Sequence, residues 1–241
     1  MIKSFIKEYK YNGFAVIPKI FKNSEIKDLN KRVDEYLSKV SKKNKSNKVH
    51  FLKNKTISSI HNIKNFKLIN ELQNNSKIKV IAKKILGKSP KKFGAEIFAK
   101  PAKIGKAVPV HQDNFYWCTK NGSGITIWIA LNKSSKLNGG LFYYSGSHEI
   151  GLLEHNLSGV PGSSQKLKNL KGLKFFKKKY PKLKPGDCLV HSSMIVHGSN
   201  NNFSNLPRRG LTLRYIAKTD SFDRNRMQKY KADLKKNIKR K

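Results

Sequence analysis

GITIWIALN, residues 124–132, is an apolar run rich in β-branched residues, with Gly at its start and Asn at its end. Runs of this kind are typical of β-strands, and they recur over the second half of the chain with turn residues between them. The runs are FGAEIFAK (93–100), GITIWIALN (124–132), GGLFYYSGS (139–147), DCLVHS (187–192), MIVHGS (194–199) and LTLRYIAK (211–218). Short strands at this spacing predict an antiparallel barrel or sandwich.

The part of the chain before these runs has a different pattern. Residues 23–40 carry Ile26, Leu29 and Val33 at helical spacing, and residues 62–86 contain two weaker helical patterns. Helices that precede a series of strands indicate the α+β class, with the helices flanking a β-barrel.

The length of the chain, 241 residues, suits one domain with a short extension. We expect a single domain over residues 1–220, in which residues 1–90 form the helical part and residues 91–220 form the barrel. Residues 221–241 are strongly basic and are predicted to form a C-terminal extension that is compatible with a helix.

The chain carries a large excess of positive charge, since 52 Lys and Arg against 14 Asp and Glu give a net charge of +38. Such a balance can indicate a nucleic acid, an anionic membrane surface or an anionic substrate. The lysines are spread along the whole chain with many asparagines, which favours a compositional bias. No zinc-finger spacing, aromatic RNA-binding motif or clear recognition helix accompanies the charge, so nucleic acid is disfavoured as a partner. The alternative hypothesis, a basic nucleic-acid-associated protein built on a metal-binding barrel, depends mainly on residues 221–241.

The cysteines and the N-terminal segment indicate the compartment. Cys118 and Cys188 match no CxxC pair and no disulfide framework, so we expect two free thiols in a reducing environment. The N-terminal stretch MIKSFIKEYK lacks the apolar core of a signal peptide, and the chain has no run of about 18 apolar residues. The sequence therefore predicts a cytoplasmic protein without a membrane span, and it contains no indication of the oligomeric state.

HQDNFYW, residues 111–117, places a histidine and an aspartate two residues apart. On a strand, such residues point to the same face, so His111 and Asp113 can converge on one cation. His197, at the end of a β-type run and followed by Gly, is the candidate third ligand. Two histidines and one carboxylate leave coordination positions open, as in non-haem Fe(II) sites. Catalytic zinc sites also use three protein ligands, so the ligand types alone leave the metal open.

His191 is a competing candidate for the third position. It lies on the same face as His197 if the strand between them is straight. A bulge or the end of the strand would remove His191 from the site, and the Gly-Ser pair after His197 favours His197.

Several spaced motifs carry a resemblance to a known family. These motifs are NGFAVIP, IFAKP, VHQD, IWIALNKSSKLNGGLFYYSGSH and PGDCLVHSSMIVHGSNNNFSNLPRRGLTLRY. In this order they resemble the phytanoyl-CoA dioxygenase family of Fe(II)/2-oxoglutarate-dependent oxygenases over roughly residues 9–217. The resemblance implies a double-stranded β-helix, a jelly-roll or cupin-like barrel with helices packed outside. It also implies Fe(II), 2-oxoglutarate and O2 as the reacting partners, with His111, Asp113 and His197 as the iron ligands.

The same resemblance implies which residues bind 2-oxoglutarate. Arg208 falls where the family has the arginine that pairs with the distal carboxylate, and a planar guanidinium can bind a carboxylate through two parallel hydrogen bonds. Arg209 would point the other way on a strand and is the alternative. Ser199 matches a position that contacts the same carboxylate, and Trp128 matches a tryptophan that lines the pocket.

The reaction that the resemblance implies is hydroxylation of an unactivated C–H bond of a small organic substrate, with release of succinate and CO2. Because halogenating relatives lack the carboxylate ligand, Asp113 favours hydroxylation over halogenation. Phe115, Tyr116 and Trp117 are predicted to form the substrate wall beyond the ligands. The surplus of lysine would suit an anionic substrate, although a solvated lysine-rich surface explains the surplus as well.

Overall fold

The chain folds as two antiparallel sheets with helices against the larger one. The computed structural model describes residues 2–43, 49–52, 54–63, 66–87, 89–160 and 162–239. The helices are α1 (Ile2–Asn12), α2 (Asn23–Lys43), α3 (Lys67–Asn74), α4 (Ser76–Leu86), α5 (Asp113–Trp117) and α6 (Arg224–Lys239). The strands are β1 (Phe14–Ile17), β2 (Val49–Phe51), β3 (Ile57–Ile60), β4 (Lys91–Lys100), β5 (Val108–His111), β6 (Gly124–Ala130), β7 (Leu141–Tyr144), β8 (His155–Val160), β9 (Ser163–Leu167), β10 (Lys178–Lys179), β11 (Cys188–Ser192), β12 (His197–Ser199) and β13 (Arg208–Ile216).

The larger sheet has the strand order β1-β11-β6-β13-β4-β3-β2, and the smaller sheet has the order β10-β7-β12-β5. The strands β8 and β9 form a separate hairpin. Phe14 and Trp128 of the larger sheet pack with Tyr143 of the smaller sheet in one buried cluster, so the two sheets face each other. The predicted α+β class is confirmed. The described strands of the two sheets share no ladder, so hydrogen bonds do not close these strands into a continuous barrel.

The central strand β6 explains why the run GITIWIALN is apolar throughout. Ile125, Ile127 and Ile129 belong to the core that joins the larger sheet to the helices. Thr126 and Trp128 alternate with them and therefore point to the opposite face, toward the smaller sheet. A strand covered on both faces lacks the usual apolar–polar alternation, which accounts for the complete burial of β6.

The predicted helices are present with modified bounds. Ile26, Leu29 and Val33 of α2 are buried against the larger sheet, as their spacing predicts. The two weaker patterns correspond to α3 and α4. The helix α1 was not predicted; it ends before Gly13, whose φ of +78° provides the turn into β1.

Cys118 and Cys188 are free and buried. None of the described helices combines the length and the apolar character that crossing a bilayer requires.

Gly210→Ala is predicted to destabilise the fold, because a Cβ at Gly210 would lie 1.9 Å from Cζ2 of the buried Trp128. Overpacking of this kind costs about 1–3 kcal/mol of the free energy of unfolding. Gly172→Ala is the matched control, since a Cβ there meets nothing within 4 Å. Chemical denaturation should show a loss of stability for the first variant and little change for the second. Equal stability of the two variants would contradict the packing of Trp128 described here.

Candidate metal centre

The pairing of β5 with β12 brings two histidines together. His111 is the last residue of β5, His197 is the first residue of β12, and the two are register partners. Their ring centroids are 4.3 Å apart. Asp113 Oδ1 lies 3.5 Å from Nε2 of His111 and 3.7 Å from Nε2 of His197. Within the described part of the chain, these three residues form the one cluster of His, Cys, Asp and Glu arranged to hold a metal ion.

The expectation that His111 and Asp113 share one strand is wrong in detail. The strand β5 ends at His111, and Asp113 begins α5. Gln112 between them has extended backbone angles, φ −118° and ψ 132°, so the alternation of side chains persists through the turn. Two residues of the same spacing therefore converge although a strand and a helix supply them.

Hydrogen bonds hold both imidazoles in one orientation. His111 Nδ1 donates to the carbonyl O of Pro109 at 2.8 Å, and His197 Nδ1 donates to that of Ile195 at 3.0 Å. Each ring then carries its proton on Nδ1 and turns the lone pair of Nε2 toward Asp113. Burial, followed by the neighbouring His111, lowers the pKa of His197 to about 3, which keeps this ring neutral and able to bind a cation.

The second oxygen of Asp113 is held by two groups from the larger sheet. Thr126 Oγ1 donates to Oδ2 at 2.9 Å, and His191 Nε2 lies 3.2 Å from the same atom. Burial alone would raise the pKa of Asp113, but the neighbouring imidazoles of His111, His191 and His197 hold that pKa well below its usual range. The ionised carboxylate thus presents Oδ1 toward Nε2 of His111 and of His197.

His191 supports the site without joining the cluster of ligands. Its Nδ1 lies 3.0 Å from the hydroxyl of Tyr143, so it links Tyr143 to Asp113. The end of β11 at Ser192 and a turn before β12 separate it from His197. The predicted strand over residues 194–199 is therefore shorter than expected. The break between β11 and β12 is an interruption of the kind that was expected to remove His191 from the site.

The geometry of the donors fits a metal ion. Two donors that each lie about 2.1 Å from one ion are at most about 4.2 Å apart. The distances from Asp113 to the two imidazoles satisfy this limit without rearrangement of the backbone. Two neutral imidazoles and one carboxylate suit Fe(II) and leave positions for further ligands.

Aromatic residues cover the metal cluster on one side. Tyr116 contacts the His111 ring edge-on at 5.5 Å, and Phe115 stacks on His155 at 4.2 Å. Tyr230 of α6 contacts both Phe115 and Tyr116, with ring centroids 6.3 Å and 5.8 Å away. The basic C-terminal segment therefore returns to the site through Tyr230.

Trp117 lies apart from this aromatic wall. It is buried, packs against Phe93 at 5.0 Å and lies below the guanidinium of Arg214. Arg214 in turn forms an ion pair with Glu96 at 3.3 Å. The assignment of Trp117 to the substrate wall stays a prediction.

The other end of the interior is cationic. Arg208 is 2% exposed, its Nη2 donates to the carbonyl O of Gly139 at 2.9 Å, and its guanidinium lies 5.4 Å from the ring of Trp128. Ser199 is buried and accepts a hydrogen bond from Lys100 Nζ at 2.6 Å. Arg208, Trp128 and Ser199 are thus all buried, and their assignment to one binding site stays a prediction.

Arg209 occupies the opposite face of β13. Its Nη1 bonds to Asp34 of α2 at 2.6 Å, on the helical side of the sheet. This arrangement agrees with the expected alternation between Arg208 and Arg209.

Gln112 and Asn114, on either side of Asp113, hold the backbone around the metal cluster through side-chain hydrogen bonds. The side chain of Gln112 donates to the carbonyl groups of Gly151 and Met194, and it accepts from the N–H of Leu153. Asn114 bonds through its side chain to Thr119. Both side chains therefore bind the loops around the metal cluster.

The comparison with protein families gives one assignment. The family model described as phytanoyl-CoA dioxygenase (PhyH) matches residues 9–210. The chain belongs to the phytanoyl-CoA dioxygenase family. Phytanoyl-CoA dioxygenase 1 of Oryza sativa subsp. japonica is 32% identical over 127 residues, which is 50% of this chain and 42% of that relative. The corresponding protein of Arabidopsis thaliana is 29% identical over 127 residues with the same coverage, so the match spans less than half of either relative.

Solved structures share the fold. EctD from S. alaskensis with 2-oxoglutarate and 5-hydroxyectoine has a TM-score of 0.76 at 20% identity, over 90% of this chain and 76% of that one. AviO1 from Streptomyces viridochromogenes has a TM-score of 0.73 at 17% identity, over 91% of this chain and 96% of that one. The epimerase SnoN, in complex with Fe3+, alpha ketoglutarate and nogalamycin RO, has a TM-score of 0.73 at 18% identity, over 92% of this chain and 85% of that one. The predicted jelly-roll fold is confirmed.

Several residues of the site were not predicted. Thr126, Tyr143 and Lys100 face the interior, and Tyr230 belongs to a segment whose packing was not anticipated. The inward alternation of β4 and β6 is the one signal that could have indicated Lys100 and Thr126. The contacts of Tyr143 and Tyr230 join distant parts of the chain and leave no local pattern.

Thr126→Val is predicted to weaken metal binding by about 10- to 100-fold, because the Asp113 carboxylate loses a hydroxyl that orients it. Anaerobic titration with Fe(II) or Co(II) measures the affinity. Thr126→Ser is the matched control and should retain most of the affinity, since it keeps the hydroxyl. If the valine and serine variants bind metal equally well, Thr126 does not orient Asp113.

Proposed function

We propose that the protein is an Fe(II)- and 2-oxoglutarate-dependent dioxygenase that hydroxylates an unactivated C–H bond of a small organic substrate. The observation that carries this proposal is the combination, in one interior, of a largely buried His-Asp-His cluster and a buried arginine that lacks an acidic partner among the described residues. Membership of the phytanoyl-CoA dioxygenase family supports it.

In this proposal His111, Asp113 and His197 hold the iron. Their donor atoms already converge, and the carbonyl groups of Pro109 and Ile195 fix the two rings in the tautomer that binding requires. The ionised Asp113 offsets part of the charge of the cation. Thr126 and His191 keep its second oxygen occupied, which favours coordination through one oxygen.

Arg208, Ser199 and Trp128 are proposed to bind 2-oxoglutarate. Nε of Arg208 is buried and has no hydrogen-bond partner among the described residues. A buried donor without a partner is costly, and a carboxylate would satisfy it together with a second N–H of the guanidinium. Trp128 supplies the adjacent apolar wall. Structural relatives crystallised with 2-oxoglutarate support the choice of this dicarboxylate.

When bound, Fe(II) and 2-oxoglutarate supply an oxidative chemistry in which O2 is reduced, succinate and CO2 are released and a C–H bond of the substrate becomes an alcohol. The protein positions the reactants and keeps water away from them. The aromatic rings of Phe115 and Tyr116 serve the second purpose. Asp113 would serve as a metal ligand where halogenating relatives lack a carboxylate, which favours hydroxylation over halogenation.

The substrate is proposed to approach past Phe115, Tyr116 and Tyr230. The contacts of the half-buried Tyr230 with Tyr116 and Ser164 support a domain that includes α6 and therefore extends beyond the proposed residues 1–220. Trp117 is the last residue of α5, the helix that also carries Phe115 and Tyr116. We keep the proposals of a substrate that carries an anionic group and of a cytoplasmic location. The lysine excess supports the first, and two free thiols support the second.

His111→Ala and His197→Ala are predicted to abolish Fe(II)-dependent formation of succinate from 2-oxoglutarate without unfolding the chain. The assay uses anaerobically purified protein with added Fe(II), O2 and a metabolite pool, and mass spectrometry detects a product that has gained one oxygen atom. His148→Ala is the control, since that imidazole contacts the carbonyl of Lys10 and not the metal cluster. Succinate formation that survives in both ligand variants would refute the proposed function.

Arg208→Ala is predicted to weaken binding of 2-oxoglutarate by about 30-fold or more, because loss of a buried charged partner costs about 2 kcal/mol or more. Arg209→Ala is the adjacent control and removes only the bond to Asp34. Calorimetric titration of the metal-loaded protein measures both affinities. If Arg209→Ala weakens binding of 2-oxoglutarate and Arg208→Ala does not, the side chains of β13 that face the interior are shifted by one residue from those described here.

A further inference from the structure

Lys100 is a buried lysine next to the proposed 2-oxoglutarate site. It is the last residue of β4 and is 5% exposed, and it is the one buried lysine in the described part of the chain. Its Nζ donates to Ser199 Oγ at 2.6 Å and to the carbonyl O of Asn200. An ammonium group has three donors, so one N–H of Lys100 remains for another partner.

Arg208 is the register partner of Lys100 across β4 and β13. Like charges directly opposite each other on neighbouring strands are destabilising, and burial adds to the cost of both charges. No carboxylate in the described part of the chain pairs with either residue. Burial and then the charge of Arg208 lower the pKa of Lys100 to about 6, as expected for a cation without an anion beside it.

We infer that Lys100 is a second cationic ligand for the distal carboxylate of the co-substrate and acts beside Arg208. The inference rests on the proposed function, and it adds a residue from β4 to the site. A carboxylate has about four acceptor positions. A bidentate Arg208 would fill two of them, and Lys100 and Ser199 would fill one each.

The consequence is selectivity among 2-oxo acids. A second carboxylate on the ligand would restore the positive charge of Lys100 and pair with both Lys100 and Arg208, whereas an analogue with an apolar end would leave Arg208 without an anion. A purely structural role of Lys100, joining β4 to β12 through Ser199 and Asn200, makes a different prediction. Its loss would then weaken all 2-oxo acids alike.

The experiment compares two ligands of equal chain length, 2-oxoglutarate and 2-oxopentanoate, which lacks the distal carboxylate. Anaerobic calorimetry measures their affinities for the Fe(II)-loaded full chain. Lys100→Met is expected to weaken 2-oxoglutarate at least tenfold and to leave 2-oxopentanoate within about twofold, because it removes one charged hydrogen bond to the distal carboxylate. Lys106→Met, a substitution of an exposed lysine just after β4, is the matched control and should change neither affinity.

Lys100→Gln guards against loss of the fold, since its amide can still donate to Ser199 and Asn200 while the charge is gone. Thermal unfolding of both variants is measured beside the affinities.

The inference is overturned if both variants bind 2-oxoglutarate like the wild type, or if they bind both ligands more weakly to the same extent. A wild-type protein that binds metal but not 2-oxoglutarate would refute the proposed function itself. Weakening in Arg208→Ala without weakening at Lys100 would refute this inference alone.

Discussion

The alignment of β12 against β5 is the constraint on which the metal cluster depends. His197 and His111 are register partners, and a slip of one residue would turn every side chain of β12 to the other face. With only three residues, β12 needs support from both sides, and β7 supplies it by pairing His197 with Tyr143. Gly198 allows the close approach, because a Cβ there would lie 2.9 Å from the carbonyl O of Val108. The convergence of the ligands is therefore a property of the smaller sheet.

The larger sheet supplies the electrostatics around that cluster. From β6 and β11, Thr126 and His191 bind the outer oxygen of Asp113, and from β13 Arg208 brings a positive charge to the other end of the interior. The interior is thus polar at both ends, with the apolar ring of Trp128 beside the arginine. A ligand with a chelating end and an anionic end matches this division. A ligand without an anionic end would leave Arg208 without a partner, and this need for an anion is the physical basis for proposing 2-oxoglutarate.

The sequence was informative where chemistry is local. The pair His111 and Asp113 could be predicted because alternation over three residues survives the change from strand to helix at Gln112. The choice of His197 over His191 had two grounds, a bulge or strand end between the two histidines and the Gly-Ser pair after His197. The contacts of Tyr143 with His191 and of Tyr230 with α5 could not be predicted in this way. Strand register and helix packing bring those residues together, and neither can be predicted from the spacing of residues along the chain.

The net charge of the chain and the charge of its interior have different physical origins. A compositional preference for lysine adds charges at the surface, where water solvates them at little cost. It does not bury a cation, since each buried charge must be compensated. Among the described residues the buried cations are Lys100, Arg208 and Arg214, and Arg214 is paired with Glu96. The two that lack an acidic partner stand opposite each other on β4 and β13. A preference of the proposed 2-oxoglutarate site for anionic ligands would therefore persist in a relative with a neutral surface. The excess of lysine at the surface is not needed to explain that preference.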